Sequence, residues 1–397
     1  VNPAVNYISV RNLLWFLVFT SIICILICSR VFIVPQENRN ETDSTSLSAA
    51  VLWQKPSGAY INWAFTPGGR YFTTVSPGGG VSLFHNSSLL KFRVHIDGVD
   101  RAISSPDGTM TMVYTYLNPK RTIVRFLDLN GKIISTLDVN GSVWCADSWE
   151  SNGELRFAIG TGHRQIYCIS FSESGRNYVR WRTPGVVVSV SFEPDGDNLL
   201  YGTWQKSFLL RSTRRGTVRW STTVDPAALP EVASLGDGSK WRILIVPNRQ
   251  GSDAQLRMMD DECNQLWEET VKAPDRSKVL ISNAGEHCCI GYGKQIVHSG
   301  KAIVENHAVL LDRNGNMLWD KGTMFLHLNP LAVADDGTVL ACGTGGKLLL
   351  VDKDGIVTES ETLGGDVLNS MWSPSAGRVL VNCTDGNMYM LGLNTVK

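Results

Sequence analysis

The sequence predicts an all-β chain of eight four-stranded units closed into a ring, an eight-bladed β-propeller preceded by one transmembrane helix. Three observations predict it. A short hairpin recurs along the chain, a glycine turn returns at nearly constant spacing, and the last unit lacks a strand that the other end of the domain can supply.

The hairpin is clearest from Ala308 to Trp319, where the run Val309, Leu310, Leu311 meets an Asn-Gly pair and is answered by a second run ending in Trp. Apolar runs flanking Asn-Gly are the short-range signal for two antiparallel strands and a tight turn. Looser copies lie at Val124 to Leu137, Leu209 to Trp220, Leu256 to Trp267 and Leu348 to Val357. The second marker is a strand ending in a glycine turn, as in Ser105-Pro-Asp-Gly108 and Glu193-Pro-Asp-Gly196. Eight such glycines (Gly69, Gly108, Gly153, Gly196, Gly238, Gly285, Gly337, Gly377) stand 39, 45, 43, 42, 47, 52 and 40 residues apart. One unit of roughly 44 residues fits four short strands, the content of a propeller blade.

Along the chain, residues 1–12 form a short arm, and residues 13–34 form the anchor. Leu13 to Ser29 is a run of 17 uncharged, mostly apolar residues, extended past Arg30 by Val31 to Val34. That length is the lower limit for crossing a bilayer, and Arg30 can snorkel to the interface. A signal peptide would need a small-x-small cleavage site after a shorter apolar core, and Arg30-Val-Phe-Ile-Val-Pro35 supplies none. Residues 35–49 are polar and aperiodic, a flexible stalk. The arm carries Arg11 and no acid, which favours a cytoplasmic amino terminus, a single pass through the cytoplasmic membrane and an exported propeller. Seven cysteines without framework spacing in the remaining chain point to free thiols and keep the cytoplasmic face as the alternative. Four Asn-x-Ser/Thr matches are close to chance in a chain this rich in those residues.

The propeller occupies residues 50–397, with no helix expected. In the seventh unit Leu328–Ala334, Thr338–Cys342, Lys347–Asp352 and Ile356–Glu361 read as four strands. The eighth has three: Asn369 to Trp372, Arg378 to Val381 and Met388 to Leu393. Ala50 to Pro56 has the Leu-Trp ending of the other outer strands, so Val51 to Trp53 should close the ring against Met388 to Leu393 and leave no open edge. Alternation along strands points Trp53, Trp181, Trp220, Trp267 and Trp319 toward neighbouring blades as docking residues.

The pattern Asp-x-x-Gly-x-x-Leu-Trp, complete at Asp312, Gly315, Leu318 and Trp319, resembles the repeat of the quinoprotein-like (PQQ-like) eight-bladed propellers, while the turns at Ser105 and Glu193 look like those of WD-repeat propellers. The resemblance spans roughly residues 50–397 and implies architecture. The quinoprotein-like family includes both dehydrogenases and non-catalytic envelope proteins, so it leaves activity open.

Chemical motifs are sparse. Cys288-Cys289 resembles the vicinal disulfide of some PQQ dehydrogenases, yet it falls in an apolar strand, where consecutive side chains point to opposite faces. Asp312 to Asn316 has its glycine too early for a calcium loop and no closing Glu at Thr323. Gly343 to Lys347 lacks phosphate-loop spacing and runs into a strand. The seven histidines show neither metal-ligand spacing nor a nucleophile partner. No catalytic, cofactor-binding or metal residue is assigned, and no cofactor is expected.

Charge is balanced overall, 37 basic against 37 acidic side chains, so bulk electrostatics names no nucleic-acid or membrane partner. Locally, residues 176–219 hold eight basic and three acidic side chains. Arg180, Arg182, Arg211, Arg214, Arg215 and Arg219 are the candidate partner-binding patch, since arginine suits bidentate contact with carboxylates. The expected function is a membrane-anchored, non-catalytic scaffold. It would touch lipid through residues 13–34 and bind protein partners, with an acidic surface as the preferred kind and no nucleic acid. A PQQ-type oxidoreductase and a ligand-sensing propeller are the alternatives.

Overall fold

The computed structural model describes residues 48–394, apart from short loop stretches (among them 57–61, 224–227, 235–240, 248–253 and 324–328) and single positions such as 214. The arm, the anchor and the stalk up to residue 47 lie outside the described residues, within which no helix is long and apolar enough to cross a membrane.

Alternating apolar residues and glycine turns give eight four-stranded antiparallel sheets among the described residues. We number these blades in chain order and call their strands inner, second, third and outer. The inner strands are Asn62–Phe65, Val99–Ser104, Val143–Ser151, Val187–Phe192, Ala228–Ser234, Asp275–Ile281, Asn329–Val333 and Val367–Ser373. Each neighbours the next, and the eighth neighbours the first, so the sheets close into a β-propeller. The 52-residue spacing before Gly337 is accounted for by blade 6, whose second and third strands, His287–His298 and Lys301–Asp312, are 12 residues each. The one 3-10 turn among the described residues, Thr344–Gly346, falls in the glycine-rich segment read as a turn from sequence.

Closure follows the predicted route. Ser48–Pro56 pairs antiparallel with Asn387–Asn394, setting Val51 opposite Leu391 and Trp53 opposite Met390, with a bulge at Leu52 between them. The strand begins two residues earlier than Ala50.

A sheet with two apolar faces buries neither alone, so the core lies between blades. Met112, Tyr114 and Phe126 of blade 2 meet Phe157, Ile159 and Ile169 of blade 3. Leu340, Leu348 and Leu350 of blade 7 meet Val379, Val381 and Leu391 of blade 8. Phe72 and Phe84 of blade 1 stack with centroids 5.1 Å apart and meet Leu380, Met388 and Met390 across the closing seam.

Each blade runs up and down four times, which places its first and third turns at one end of the ring. The second turn and the crossover to the next blade lie at the other. These two ends are built from different chemistry.

Candidate interaction surface

At the first end, turns serve as sockets for the preceding blade. The Asp that opens the third turn accepts two backbone N–H groups of that turn: Asp312 Oδ1 takes Asn314 and Asn316 at 2.8 Å each, and Asp352 Oδ1 takes Asp354 at 2.9 Å and Ile356 at 2.8 Å. Such Asx turns are why Asp recurs there. Burial works to raise the Asp312 carboxyl, but hydrogen bonds from the Asn316 side chain and the Asn316 and Asn314 backbone outweigh it and hold it below the ordinary range.

The glycine that follows has positive φ, +84° at Gly315 and +78° at Gly355, and its missing Cβ is the space the neighbouring tryptophan fills. Trp267 lies against Gly315 and donates its indole N–H to the Arg313 carbonyl at 2.8 Å. Trp319 lies against Gly355 and donates to the Asp352 carbonyl at 2.9 Å. Trp53 donates to the Asn86 carbonyl of blade 1 at 2.8 Å and stacks on Phe72 at 5.8 Å. Trp220 is half-buried and holds the same register position, opposite Leu210 beside a bulge. Trp181 differs: it sits opposite Ile166 in a strand pair without a bulge, yet its indole still meets Gly216 of blade 4.

The first turns receive side chains that sequence reasoning missed. Tyr71 packs on Gly108, and His287 Nδ1–H donates to the Asp335 carbonyl beside Gly337 at 3.0 Å. In blade 3, Trp149 covers Gly196, and Arg156, only 5% exposed, stacks on Trp149 at 4.9 Å and donates to the Gly196 carbonyl and to Thr213. Glu154 pairs with this guanidinium through both carboxylate oxygens at 2.9 Å. The available signal was position: Tyr71, Arg156 and His287 follow their own blade's first turn glycine by two or three residues.

Two carboxyl groups are held in this seam. Glu193, 3% exposed, accepts a hydrogen bond from Asn198, and burial pushes it up to about 7. Asp147 accepts the Phe192 N–H at 2.7 Å, and burial raises it to about 6.

Among the described residues, the candidate arginines do not share one strand face. Arg180 and Arg182 are exposed on one face of the outer strand Gly175–Arg182. Arg211 packs over the Trp181 ring at 5.6 Å, on the opposite face, and over Tyr201 at 5.8 Å. Arg219 donates to Asn198 Oδ1 at 3.1 Å within its own blade, Arg215 is exposed at the third turn, and Arg214 lies outside the described residues. Alternation places Arg180 and Arg211 on opposite sides of the same strand, which is why equivalence of outer strands did not bring them together.

The second end of blades 2 to 4 gathers a different set. The second turn of blade 2 brings Lys120 and Arg121 into a crevice of about 440 Å³ with Arg180, Tyr178 and Tyr167 of blade 3. Its one carboxylate, Asp138, is ion-paired to Arg121 at 2.7 Å. Arg164 is exposed in the second turn of blade 3, and Arg182 ends that blade's outer strand. At the same end stand two exposed tryptophans, Trp144 at 45% and Trp204 at 59%, edge to face with centroids 6.0 Å apart across the seam of blades 3 and 4. Lone exposed apolar residues are ordinary, but paired exposed tryptophans rimmed by cations have the composition of an interface core.

Other candidate chemistry is resolved by burial. Cys288 faces Trp267 and Met258 of blade 5, whereas Cys289 faces Val333 and Val339 of blade 7. Burial pushes the Cys288 thiol up to about 12. Two sulfurs on opposite sides of a strand do not fit a vicinal disulfide beside a cofactor. Among the described residues no group of three or more His, Cys, Asp or Glu is placed to hold a metal ion.

No protein-family model and no curated protein sequence matches the chain. Solved structures do. The Dos1 propeller aligns with a TM-score of 0.61 at 12% identity, covering 87% of this chain and 94% of that one. BamB from Moraxella catarrhalis aligns at 0.57 and 12% identity, over 87% and 97% of the two chains. The β-propeller domain of Swd1 from Myceliophteria thermophila aligns at 0.53 and 13%, over 87% and 99%. At such identities the similarity is one of fold.

Proposed function

We propose that this chain is a membrane-anchored scaffold whose propeller binds other proteins and catalyses no reaction, with the membrane passed once by residues 13–34 and the propeller outside the cytoplasm. The observation that carries the reading is the surface at the second end of blades 2 to 4, where Trp144 and Trp204 are exposed as a pair and the same end carries Lys120, Arg121, Arg164, Arg180 and Arg182. Solvated cations alone would mark an ordinary rim; two aromatics paired in the open, Trp144 on a strand and Trp204 at the turn that follows one, are suited to a partner. The fold shared with Dos1, Swd1 and BamB is compatible with this reading and with others.

A photo-crosslinking residue at Trp204 in native membranes, followed by mass spectrometry, tests it. The expected result is a discrete crosslinked protein absent when the residue is placed at Asp354, in a turn at the other end. Titration with PQQ and calcium tests the quinoprotein alternative: stoichiometric uptake with dye reduction would overturn the scaffold reading. A membrane-impermeant thiol reagent applied to intact cells carrying Ser44→Cys tests orientation, and labelling only after permeabilisation would place the propeller on the cytoplasmic face.

A further inference from the structure

We propose that the second end of blade 3 binds a short acidic segment of a partner protein, with one apolar side chain seated at Trp144 and Trp204, a carboxylate about four to five residues away at Arg182, and further carboxylates beyond it at the Arg180 crevice that Lys120 and Arg121 also line. This rests on the scaffold reading and specifies its ligand.

The spacing comes from strand register. Trp144 follows Val143, which is opposite Thr161; Thr161 Oγ donates to the Gln165 carbonyl across the second turn at 3.1 Å; and Gln165 is opposite Arg182. The path from the tryptophan pair to Arg182 therefore crosses three inter-strand gaps, about 14 Å at roughly 4.8 Å each, which an extended peptide covers in four to five residues at about 3.3 Å per residue. Arg180, two residues back from Arg182, opens into the crevice with Lys120 and Arg121. The peptide would lie radially across the blade.

Charge selects an acidic occupant. At this end of blade 2, Asp100 accepts the Tyr116 N–H, Asp97, in the crossover from blade 1, lies 2.9 Å from His95 Nε2, and Asp138 is already paired to Arg121. Arg180 and Arg182 are exposed, and the Arg180 crevice carries two further cations against that one carboxylate. The aromatic end demands an apolar anchor as well. The Trp144 indole N–H is donated to Ser142 Oγ at 2.8 Å, so this ring offers its carbon faces and edge to a ligand. A purely ionic ligand would use the crevice and leave both tryptophans bare.

The probe is a dye-labelled peptide with one Phe, a four-residue Gly/Ser spacer and four Glu, titrated by anisotropy against the full chain. Expected results are saturable binding that weakens as salt is raised, no binding of the Lys counterpart, and a loss of about tenfold for Arg180→Glu with Arg182→Glu. Trp204→Ala and replacement of the peptide Phe by Ala should each weaken binding about tenfold without compounding, because they remove the same contact. Equal binding of Glu and Lys peptides overturns the proposal, as does full compounding of the two aromatic losses. Binding of phosphatidylglycerol vesicles in place of the peptide, lost in the same arginine variants, overturns it in favour of a lipid surface. A chain that ignores every peptide yet still crosslinks one protein in native membranes sinks this ligand while the scaffold reading stands.

Discussion

Trp319→Ala measures how strongly one blade is latched to the next. Trp319 is 6% exposed, lies in the core that joins Leu310 of its own blade to Val333, Val339 and Val351 of blade 7, and donates to the Asp352 carbonyl. A buried indole removes about 150–250 Å² from water, worth about 4–6 kcal/mol at roughly 25 cal/mol per Å². Measured truncations of buried aromatics fall at about 3–5 kcal/mol. The hydrogen bond contributes about 1 kcal/mol, with no orphan penalty, since the Asp352 carbonyl also accepts the Gly355 N–H at 3.0 Å. Trp319→Ala should therefore cost about 4 kcal/mol and Trp319→Phe, which keeps a ring against Gly355, about 1–2 kcal/mol. Urea unfolding of the full chain, followed by far-UV circular dichroism, gives both values. Trp204→Ala, at an exposed ring, should stay within about 0.5 kcal/mol of the parent. The reasoning is refuted if Trp319→Ala costs no more than Trp204→Ala, or if Phe costs as much as Ala.

Deleting residues up to Pro56 removes the strand that pairs with Asn387–Asn394 and takes Trp53 off Phe72, so the ring should melt earlier by an amount at least equal to Trp53→Ala; an unchanged midpoint would mean that closure contributes nothing. Glu193 sets a pH dependence. Its folded value of about 7 lies above the ordinary 4.5, so between those values the folded state keeps a proton that the unfolded state has lost, and stability falls as pH rises through that window. Glu193→Gln should match the parent at pH 4 and exceed it at pH 8, and a pH-independent difference in denaturation midpoint would contradict this. With Cys24, Cys28, Cys145 and Cys263 replaced by Ser, the buried thiols, raised by burial to about 12 at Cys168, Cys288 and Cys383, should react with Ellman's reagent only as fast as the chain unfolds; rapid reaction of the native chain would refute it.

The architecture was legible because period and turn chemistry are local. Asp312, Gly315 and Trp319 stand within eight residues, and each has a reason to be there that the neighbouring blade completes. Blade pairing at Trp53, Trp267 and Trp319 could be read for the same cause. The arginine patch could not, since grouping residues on the perimeter depends on which face of one strand each occupies, and the shifted register of Trp181 in blade 3 has no mark in its sequence. Trp144 and Trp204 were passed over because exposure is a tertiary property. A Trp near a glycine turn reads as core if the only guide is hydrophobicity, and the pair meets across blades only through the fold.

The closing strand also dictates an order of events during synthesis. Ser48–Pro56 leaves the ribosome before any other strand of the ring, whereas its partner Asn387–Asn394 emerges after all seven complete blades. Until then the first strand made has no place to go, and blade 8 offers a bare edge to any extended chain nearby. Joining them closes a loop of more than three hundred residues, a slow, high-contact-order step. The growing chain is thus a row of stacked sheets until that strand emerges and becomes a ring only when the two meet, which makes the interval before closure the point at which a chaperone, or a second copy's first strand, can intervene.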